Sequence, residues 1–140
     1  MELLENPKMC YGCGTDNPIG LRLQFSWEDG DCVTRLHVKP ELSGWRGLLH
    51  GGVLAAALDE VMGTAVWKER LWAMTGRFTV RYRRPVRVGE DLDLRGRIEK
   101  VGSRILRTTA EARRPDGTLV ADADALYIRS KPSEEGGDDP

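Results

Sequence analysis

The sequence predicts an α+β domain in which one long buried helix is wrapped by a mostly antiparallel sheet of about five or six strands. Two observations carry this prediction. Residues 51–68 are rich in Ala and Leu and are apolar at nearly every position, as in a helix that is buried on most sides. Most other long segments alternate apolar and polar residues, as half-buried strands do, and turn-forming residues separate them.

The strands follow from this alternation in chain order. They are predicted at 21–27, 32–38, 74–84, 91–101, 104–113 and 119–129. The apolar residues on one face of the first segment are Leu21, Leu23, Phe25 and Trp27. The alternating residues of the third segment are Met74, Gly76, Phe78, Val80 and Tyr82. The turns "EDGD" and "RPDGT" join the first pair and the last pair of strands as hairpins.

Length and charge limit the class of protein. A chain of 140 residues suits one domain, which we place at residues 1–130, followed by an acidic tail at 131–140 that we expect to be disordered. The net charge of −1 comes from that tail, and a near-neutral body weighs against a nucleic-acid partner. The sequence has no apolar run long enough for a membrane span, and Glu2 and Glu5 do not suit a signal peptide. We therefore expect a cytoplasmic protein with no membrane partner.

The three cysteines, Cys10, Cys13 and Cys32, fit reduced thiols better than a disulfide framework because their number is odd. Cys10 and Cys13 form a CxxC motif within "CYGCGTDNPIGL". This motif is half a zinc site, a redox pair, or two small residues packed in a turn. Neither a second CxxC nor a closely spaced His pair follows, although a second subunit could supply ligands. The sequence therefore favours the packed turn, and we expect no bound metal.

The stretch "RGLLHGGVLAAALDE" sets His50, Gly51 and Gly52 at the start of the predicted helix. The first N–H groups of a helix have no partner within it and carry the positive end of its dipole. Glycines there let a ligand approach the backbone, which suits an oxygen that gains negative charge during acyl transfer. The stretch is therefore a candidate oxyanion hole. The alternative is that the glycines only ease entry to the helix while His50 caps it.

Asp59 and Glu60 interrupt the apolar run of the same helix. A buried acid costs desolvation unless it is paired, so it often has a function. Adjacent helical residues point about 100° apart, so we expect one acid to face a site and the other to meet a basic partner or solvent. Asp59 lies about 12 Å along the axis from Gly51, too far for both to act on one carbonyl. A second, antiparallel copy of the helix across a two-fold axis would bring them together.

Three segments, taken in order, resemble one family. "HGGVLAAALDEVMG" resembles the signature helix of hotdog-fold acyl-CoA thioesterases of the His-Gly-Gly type, a group that includes the phenylacetate-pathway thioesterases. "FTVRYRRPVRVGEDL" resembles the strand, turn and strand after that helix, and "CYGCGTDNPIGLRL" resembles an N-terminal segment of some members. The resemblance covers most of residues 10–128. It implies a hotdog fold whose active sites are shared across a homodimer, with dimers often paired into tetramers.

The resemblance also implies a role for each matching residue. The Gly51 amide would polarise the thioester carbonyl, His50 would orient the loop, and Asp59 of the opposite subunit would be the general base or nucleophile. Thr75 falls where the family often has a Ser or Thr that positions the attacking water. Gly44 is a departure, because many relatives have Asn or a similar polar residue six positions before the His. No cofactor is expected, since a thioester is already activated.

Several long side chains near the helix ends are further candidates. Arginines crowd the strand and turn after the helix, at Arg77, Arg81, Arg83, Arg84 and Arg87. They form a solvated strand face or bind the phosphates of CoA, and we select Arg83 and Arg84, together with Gly52, as candidate substrate contacts. Three tryptophans have two possible roles: they line an acyl or aryl pocket, or they pack in the core, which the sequence favours. They are Trp45, Trp67 and Trp72.

The function predicted from these residues is hydrolysis of an acyl-CoA or aryl-CoA thioester to free acid and thiol. Two alternatives from other classes stay open: a non-catalytic acyl-CoA-binding or regulatory protein on the same fold, and a hotdog hydratase or dehydratase. A turnover assay separates the first alternative from an enzyme. The hydratases and dehydratases resemble a different catalytic pattern from the one in this sequence, because their His and acid are placed otherwise around the helix.

Overall fold

The computed structural model describes residues 7–130, so the predicted tail at 131–140 lies outside the described residues, as do residues 1–6. Short 3₁₀ helices lie at Pro7–Met9 and Pro40–Leu42. The regular elements are β1 (Ser26–Glu28), β2 (Asp31–His37), α1 (Gly51–Lys68), β3 (Ala73–Tyr82), β4 (Asp91–Val101), β5 (Ile105–Arg113) and β6 (Leu119–Arg129). The α+β class and the single long helix are as predicted.

The strands form one sheet in the order β1-β2-β4-β5-β6-β3, and every neighbouring pair is antiparallel. Helix α1 follows β2 and packs across one face of the sheet, after which the chain enters β3 at the far edge. Strand β3 pairs with β6 on one side and has no strand of the described chain on its other side. The sheet therefore ends in an open edge beside the helix.

The core lies between α1 and the inner face of the sheet. The buried residues of the helix are Leu54, Ala57, Leu58, Val61, Met62, Ala65 and Val66. At Gly96 in β4 the helix comes so close that a Cβ atom would lie 2.6 Å from the carbonyl carbon of Val61. The opposite face of α1 is only half-buried, so the helix is less enclosed than its composition predicted. None of the helices described within residues 7–130 is long and apolar enough to span a bilayer.

The first predicted strand is mostly wrong. Strand β1 has only three residues, and the left-handed backbone of Arg22, with φ 53°, interrupts the extended path at the start of the predicted segment. The N–H groups of Leu21 and Leu23 instead donate to the cysteine-bearing loop, at the carbonyl oxygens of Tyr11 and Gly12. Leu23 is nevertheless buried in the core. The apolar pattern therefore reports burial here without a strand.

Strand β3 contains an irregularity that alters its predicted faces. The pairing with β6 shifts between Thr75 and Arg77, so Gly76 is an extra residue in the ladder. A Cβ atom at Gly76 would lie 2.6 Å from Ile128, which makes glycine the residue that fits. The alternation therefore reverses at this bulge: Met74 is 78% exposed, against prediction, and the hydroxyl of Thr75 reaches α1.

Candidate active site

The start of α1 presents one backbone N–H without an acceptor. His50 is the N-cap, with φ −62° and ψ 128°, and its Nδ1 accepts a hydrogen bond of 2.9 Å from the N–H of Gly52. The N–H groups of Val53 and Leu54 donate to the His50 carbonyl. Among residues 7–130 the N–H of Gly51 has no acceptor. Of the two glycine amides, the one at Gly51 is therefore free for a ligand.

Gly44 packs directly on the cap. A Cβ atom at Gly44 would lie 3.0 Å from the Cα of His50, so a larger side chain there would displace the histidine. The His50 N–H donates to the carbonyl of Leu42 at 2.9 Å, and the Gly44 N–H donates to the carbonyl of Leu48. Backbone hydrogen bonds therefore hold this loop beside the cap.

The carboxylate of Asp59 is held by two hydroxyl groups on the sheet side of the helix. Its Oδ1 accepts hydrogen bonds from Thr75 Oγ1 at 2.8 Å and from Tyr127 Oη at 2.6 Å. The same tyrosine also donates to the Asp59 carbonyl at 3.0 Å. No described residue donates to Oδ2. One oxygen is thus fixed in place while the other is available to a ligand.

Tyr127 is a site residue that the sequence reasoning missed. Burial, together with its hydrogen bond to Asp59, raises the pKa of Tyr127, so the phenol stays protonated and donates. The inward residues that precede it in β6 are the small Ala123 and Ala125, and Gly63 lies 3.4 Å from its hydroxyl at the point where a Cβ would stand. The signal that could have identified it in the sequence was a single large, polar aromatic residue on a strand face otherwise occupied by alanines.

A cleft of about 240 Å³ adjoins the helix N-terminus and brings together Gly51, Arg83 and Arg84. Its other lining residues are Leu48, Leu49, Leu54, Tyr82, Pro85 and Val86. The Tyr82 hydroxyl donates to the Gly51 carbonyl at 2.6 Å. Arg83 pairs with Asp122 at 2.6 Å, whereas Arg84 forms no ion pair with a described residue. Arg84 is therefore the freer of the two predicted contacts.

Glu60 does not meet a basic side chain among the described residues, contrary to one of the two predicted outcomes. The Cys10 thiol donates to Glu60 Oε1 at 3.4 Å. Burial, followed by hydrogen bonds to Cys10 and Glu60, raises the pKa of the Cys13 thiol. The two cysteines of the CxxC motif thus lie against the helix, beside the acid that follows Asp59.

The tryptophans do not pack as predicted. Trp45 is 72% exposed, with the Arg46 guanidinium 5.0 Å from its ring centre. Trp67 is 44% exposed and lines an apolar cleft of about 460 Å³ with Leu23, Phe25 and Thr64. The core-packing prediction is therefore wrong for Trp45 and Trp67. A half-buried Trp72 lies after the helix, where its carbonyl accepts a hydrogen bond from the Ser130 N–H.

One long helix laid across an open, antiparallel six-stranded sheet is the hotdog fold, which thioesterases of known structure share. A crystal structure of a thioesterase superfamily protein superposes with a TM-score of 0.77 at 28% identity, covering 82% of this chain and 60% of that chain. A hypothetical thioesterase from Streptococcus pneumoniae TIGR4, solved with coenzyme A, gives a TM-score of 0.73 at 19% identity. It covers 77% of this chain and 88% of that chain.

The sequence comparisons agree with the fold. The family model described as "Thioesterase superfamily" matches residues 46–121, and the chain belongs to this family. It is 30% identical over 94 residues to the acyl-coenzyme A thioesterase THEM4 of Xenopus laevis, which covers 66% of this chain and 42% of that protein. The chain spans about two fifths of the length of the curated relatives it matches.

Proposed function

We propose that this protein hydrolyses acyl-CoA, or a related aryl thioester, to the free acid and thiol in an active site shared between two copies of the chain. The observation that carries the proposal is the Asp59 carboxylate, half-buried in the helix and fixed through one oxygen by Thr75 and Tyr127. Holding a carboxylate in one orientation suits a group that must act on a single reacting atom. Membership of the thioesterase superfamily supports the same chemistry.

The N–H of Gly51 is proposed as the donor to the thioester carbonyl. The carbonyl oxygen gains negative charge as the nucleophile adds, and a free amide at the positive end of α1 stabilises that charge. His50 keeps the helix start in shape through its hydrogen bond to Gly52, whose own N–H is therefore occupied. Gly52 contributes open space at this point, where a side chain would meet the His50 ring.

Asp59 is proposed to act from the opposite copy, as a general base or as a nucleophile. As a base it takes a proton from water, the water oxygen adds to the carbonyl carbon, and the thiolate leaves with a proton. As a nucleophile it adds to the carbonyl carbon, the C–S bond breaks and the thiolate leaves, and water then hydrolyses the resulting anhydride to the free acid and the carboxylate. Thr75 and Tyr127 serve both routes because they hold Oδ1 and leave Oδ2 to react. The reaction needs no cofactor.

A two-fold dimer is proposed because Gly51 and Asp59 lie two turns apart on one helix and cannot meet within a single chain. Strand β3 offers an open edge on which a second copy could pair antiparallel. The exposed Met74 lies on that edge strand. We propose an isologous homodimer, with dimers assembled into a tetramer.

The cleft beside Gly51 is proposed to receive part of the CoA group. Arg84 and Arg83 stand on its rim, where guanidinium groups suit the phosphates of the nucleotide. The S. pneumoniae neighbour of this fold was solved with coenzyme A, which supports a CoA thioester as the substrate class. Because Arg83 is engaged by Asp122, Arg84 is expected to contribute more.

Release of free thiol from a panel of aryl-, short-chain and long-chain acyl-CoAs tests the proposal. We expect at least one class to be hydrolysed with kcat in the ordinary enzymatic range of about 1–10³ s⁻¹. Calorimetry with the same compounds measures binding in parallel. Tight binding without turnover of any compound would indicate an acyl-CoA-binding protein instead of an enzyme. The absence of both binding and turnover would exclude CoA thioesters as ligands.

Replacement of Tyr127 by Phe is expected to lower kcat about tenfold with little change in KM. The variant loses one hydroxyl donor to Asp59, and a hydrogen bond to a charged group contributes about 1.5–3 kcal/mol, of which roughly 1.4 kcal/mol corresponds to tenfold in rate. Steady-state kinetics on the preferred thioester measures the effect. Thr108→Val is the control for the effect on rate. It removes another buried hydroxyl, one that donates to the Ala125 carbonyl and does not contact Asp59. An unchanged kcat for Tyr127→Phe would show that this hydroxyl does not position the carboxylate.

A further inference from the structure

The CxxC loop and helix α1 bring three metal-ligating side chains together. The Sγ atoms of Cys10 and Cys13 and a carboxylate oxygen of Glu60 all lie within 4.8 Å of one another, and all three residues are half-buried. In a tetrahedral zinc site with bonds of about 2.0–2.3 Å, two ligand atoms lie roughly 3.8 Å apart. Side-chain movements of about 1 Å would therefore place all three on one ion.

The backbone of the loop is shaped to present this cluster. The Gly14 N–H donates to the Cys10 carbonyl at 2.8 Å, which closes a tight turn around the motif. Gly14 lies on the backbone carbonyls of Lys8 and Cys10 and has no room for a Cβ atom, and Gly12 lies directly on the Glu60 carboxylate. The loop thus holds the cysteines against a carboxylate on the helix.

We propose that Cys10, Cys13 and Glu60 bind one Zn²⁺ ion through two thiolates and one carboxylate oxygen. Two sulfur ligands favour zinc over Mg²⁺ or Ca²⁺, which prefer all-oxygen sites. The ion displaces the two thiol protons on binding. Its fourth position is open to water or to a group in the cleft of about 460 Å³ that Cys13 and Glu60 line.

The proposal departs from the sequence expectation of no bound metal. The third ligand, Glu60, is fifty positions from Cys10 in the chain, so no ligand spacing could reveal it. The ion would join the N-terminal segment to α1, one residue beyond Asp59. In that segment the described residues up to 25 contain a single 3₁₀ turn. Its predicted effect is to fasten that segment to the helix.

Metal content of the whole chain tests the proposal. The protein is purified under a non-thiol reductant to keep Cys10 and Cys13 reduced, incubated with zinc sulfate, freed of excess by gel filtration and analysed by mass spectrometry. We expect about one zinc per chain. The double variant Cys10→Ser, Cys13→Ser should lose it, and Glu60→Gln should bind zinc at least tenfold more weakly. Cys32→Ala, which removes a thiol buried in β2, and Asp59→Asn, which removes the adjacent acid, should keep it.

Cobalt gives a readout that does not depend on the variants folding. Wild-type protein titrated with Co²⁺ should develop thiolate-to-cobalt charge-transfer absorption and the intense visible bands of a tetrahedral site, and zinc should displace them. Removal of zinc by a chelator should lower Tm in the wild type and leave Tm unchanged in the double variant. Less than about 0.1 zinc per wild-type chain after loading, or full zinc in the double variant, would overturn the proposal.

Discussion

Asp59→Asn is expected to lower kcat on the preferred thioester by about 10²–10⁴-fold, the usual loss when a general base is removed. The amide keeps the size of the side chain, and its oxygen still accepts hydrogen bonds from Thr75 and Tyr127. It cannot take a proton from water or form an anhydride. KM should change little because the proposed role of the carboxylate is at the reacting carbonyl and not at the nucleotide. Steady-state release of free CoA measures both constants.

Glu69→Gln is the matched control for this substitution. Glu69 is an exposed acid immediately after the last residue of α1, so its replacement removes the same charge beside the same helix without touching Thr75 or Tyr127. Its kcat should stay within about twofold of wild type, in the range of ordinary surface changes. Activity of Asp59→Asn within a few fold of the control would mean that another group activates the water.

Mixing two inactive variants is expected to restore activity if each site combines Gly51 of one chain with Asp59 of its partner. Gly51→Pro removes the proposed oxyanion donor, and Asp59→Asn removes the proposed base. In a mixed dimer both lesions fall in one site, and the other site is intact. Equal amounts give about half mixed dimers with one working site of two, so recovery should approach roughly a quarter of wild-type activity for an isologous pair.

Proline suits this test for structural reasons. Gly51 is the first residue of α1, a position that tolerates proline, and its N–H has no acceptor to lose among the described residues. His50 already has the extended φ and ψ that a residue before proline prefers. A Cβ atom at Gly51 would stand 3.4 Å from the Tyr82 ring, an ordinary contact. The variant should therefore fold as a normal dimer.

Subunits must exchange for the mixture to form, which mild denaturation and joint refolding achieve. Each single variant is first shown to be a folded dimer by circular dichroism and light scattering, and two different affinity tags isolate the heterodimer. Refolding wild type with Asp59→Asn serves as a second control, since one intact site also remains there. Inactive, verified heterodimers of the Gly51 and Asp59 variants would rule out the shared site.

The fold could be predicted largely because its signals are local. The helix bounds at 51–68 match the structure, since a long Ala- and Leu-rich run between a glycine pair and a charged end has few alternatives. Strands β4 to β6 also lie where alternation placed them. The first strand failed because alternation reports which residues are buried. It does not report whether the backbone pairs with a neighbour, and Arg22 breaks the extended path.

The candidate site could be predicted only in part, because contacts between distant segments carry the rest. The helix start and Asp59 stand out by residue type. Tyr127, which donates a hydrogen bond to Asp59, is sixty-eight positions away from it in the same chain, and its role depends on strand register. The meeting of Glu60 with the cysteine loop has the same origin, since it depends on how residues 7–25 fold over the helix.

The bulge at Gly76 separates two sets of requirements along a single strand. Beyond it, Phe78 and Val80 are packed against the core and are constrained by volume and hydrophobicity. Before it, Thr75 is constrained by its hydrogen bond to Asp59. A regular strand would put these side chains on opposite faces, because the faces alternate with each residue. With the extra residue they lie on the same face, so this one edge strand both fills the core and holds the carboxylate of Asp59.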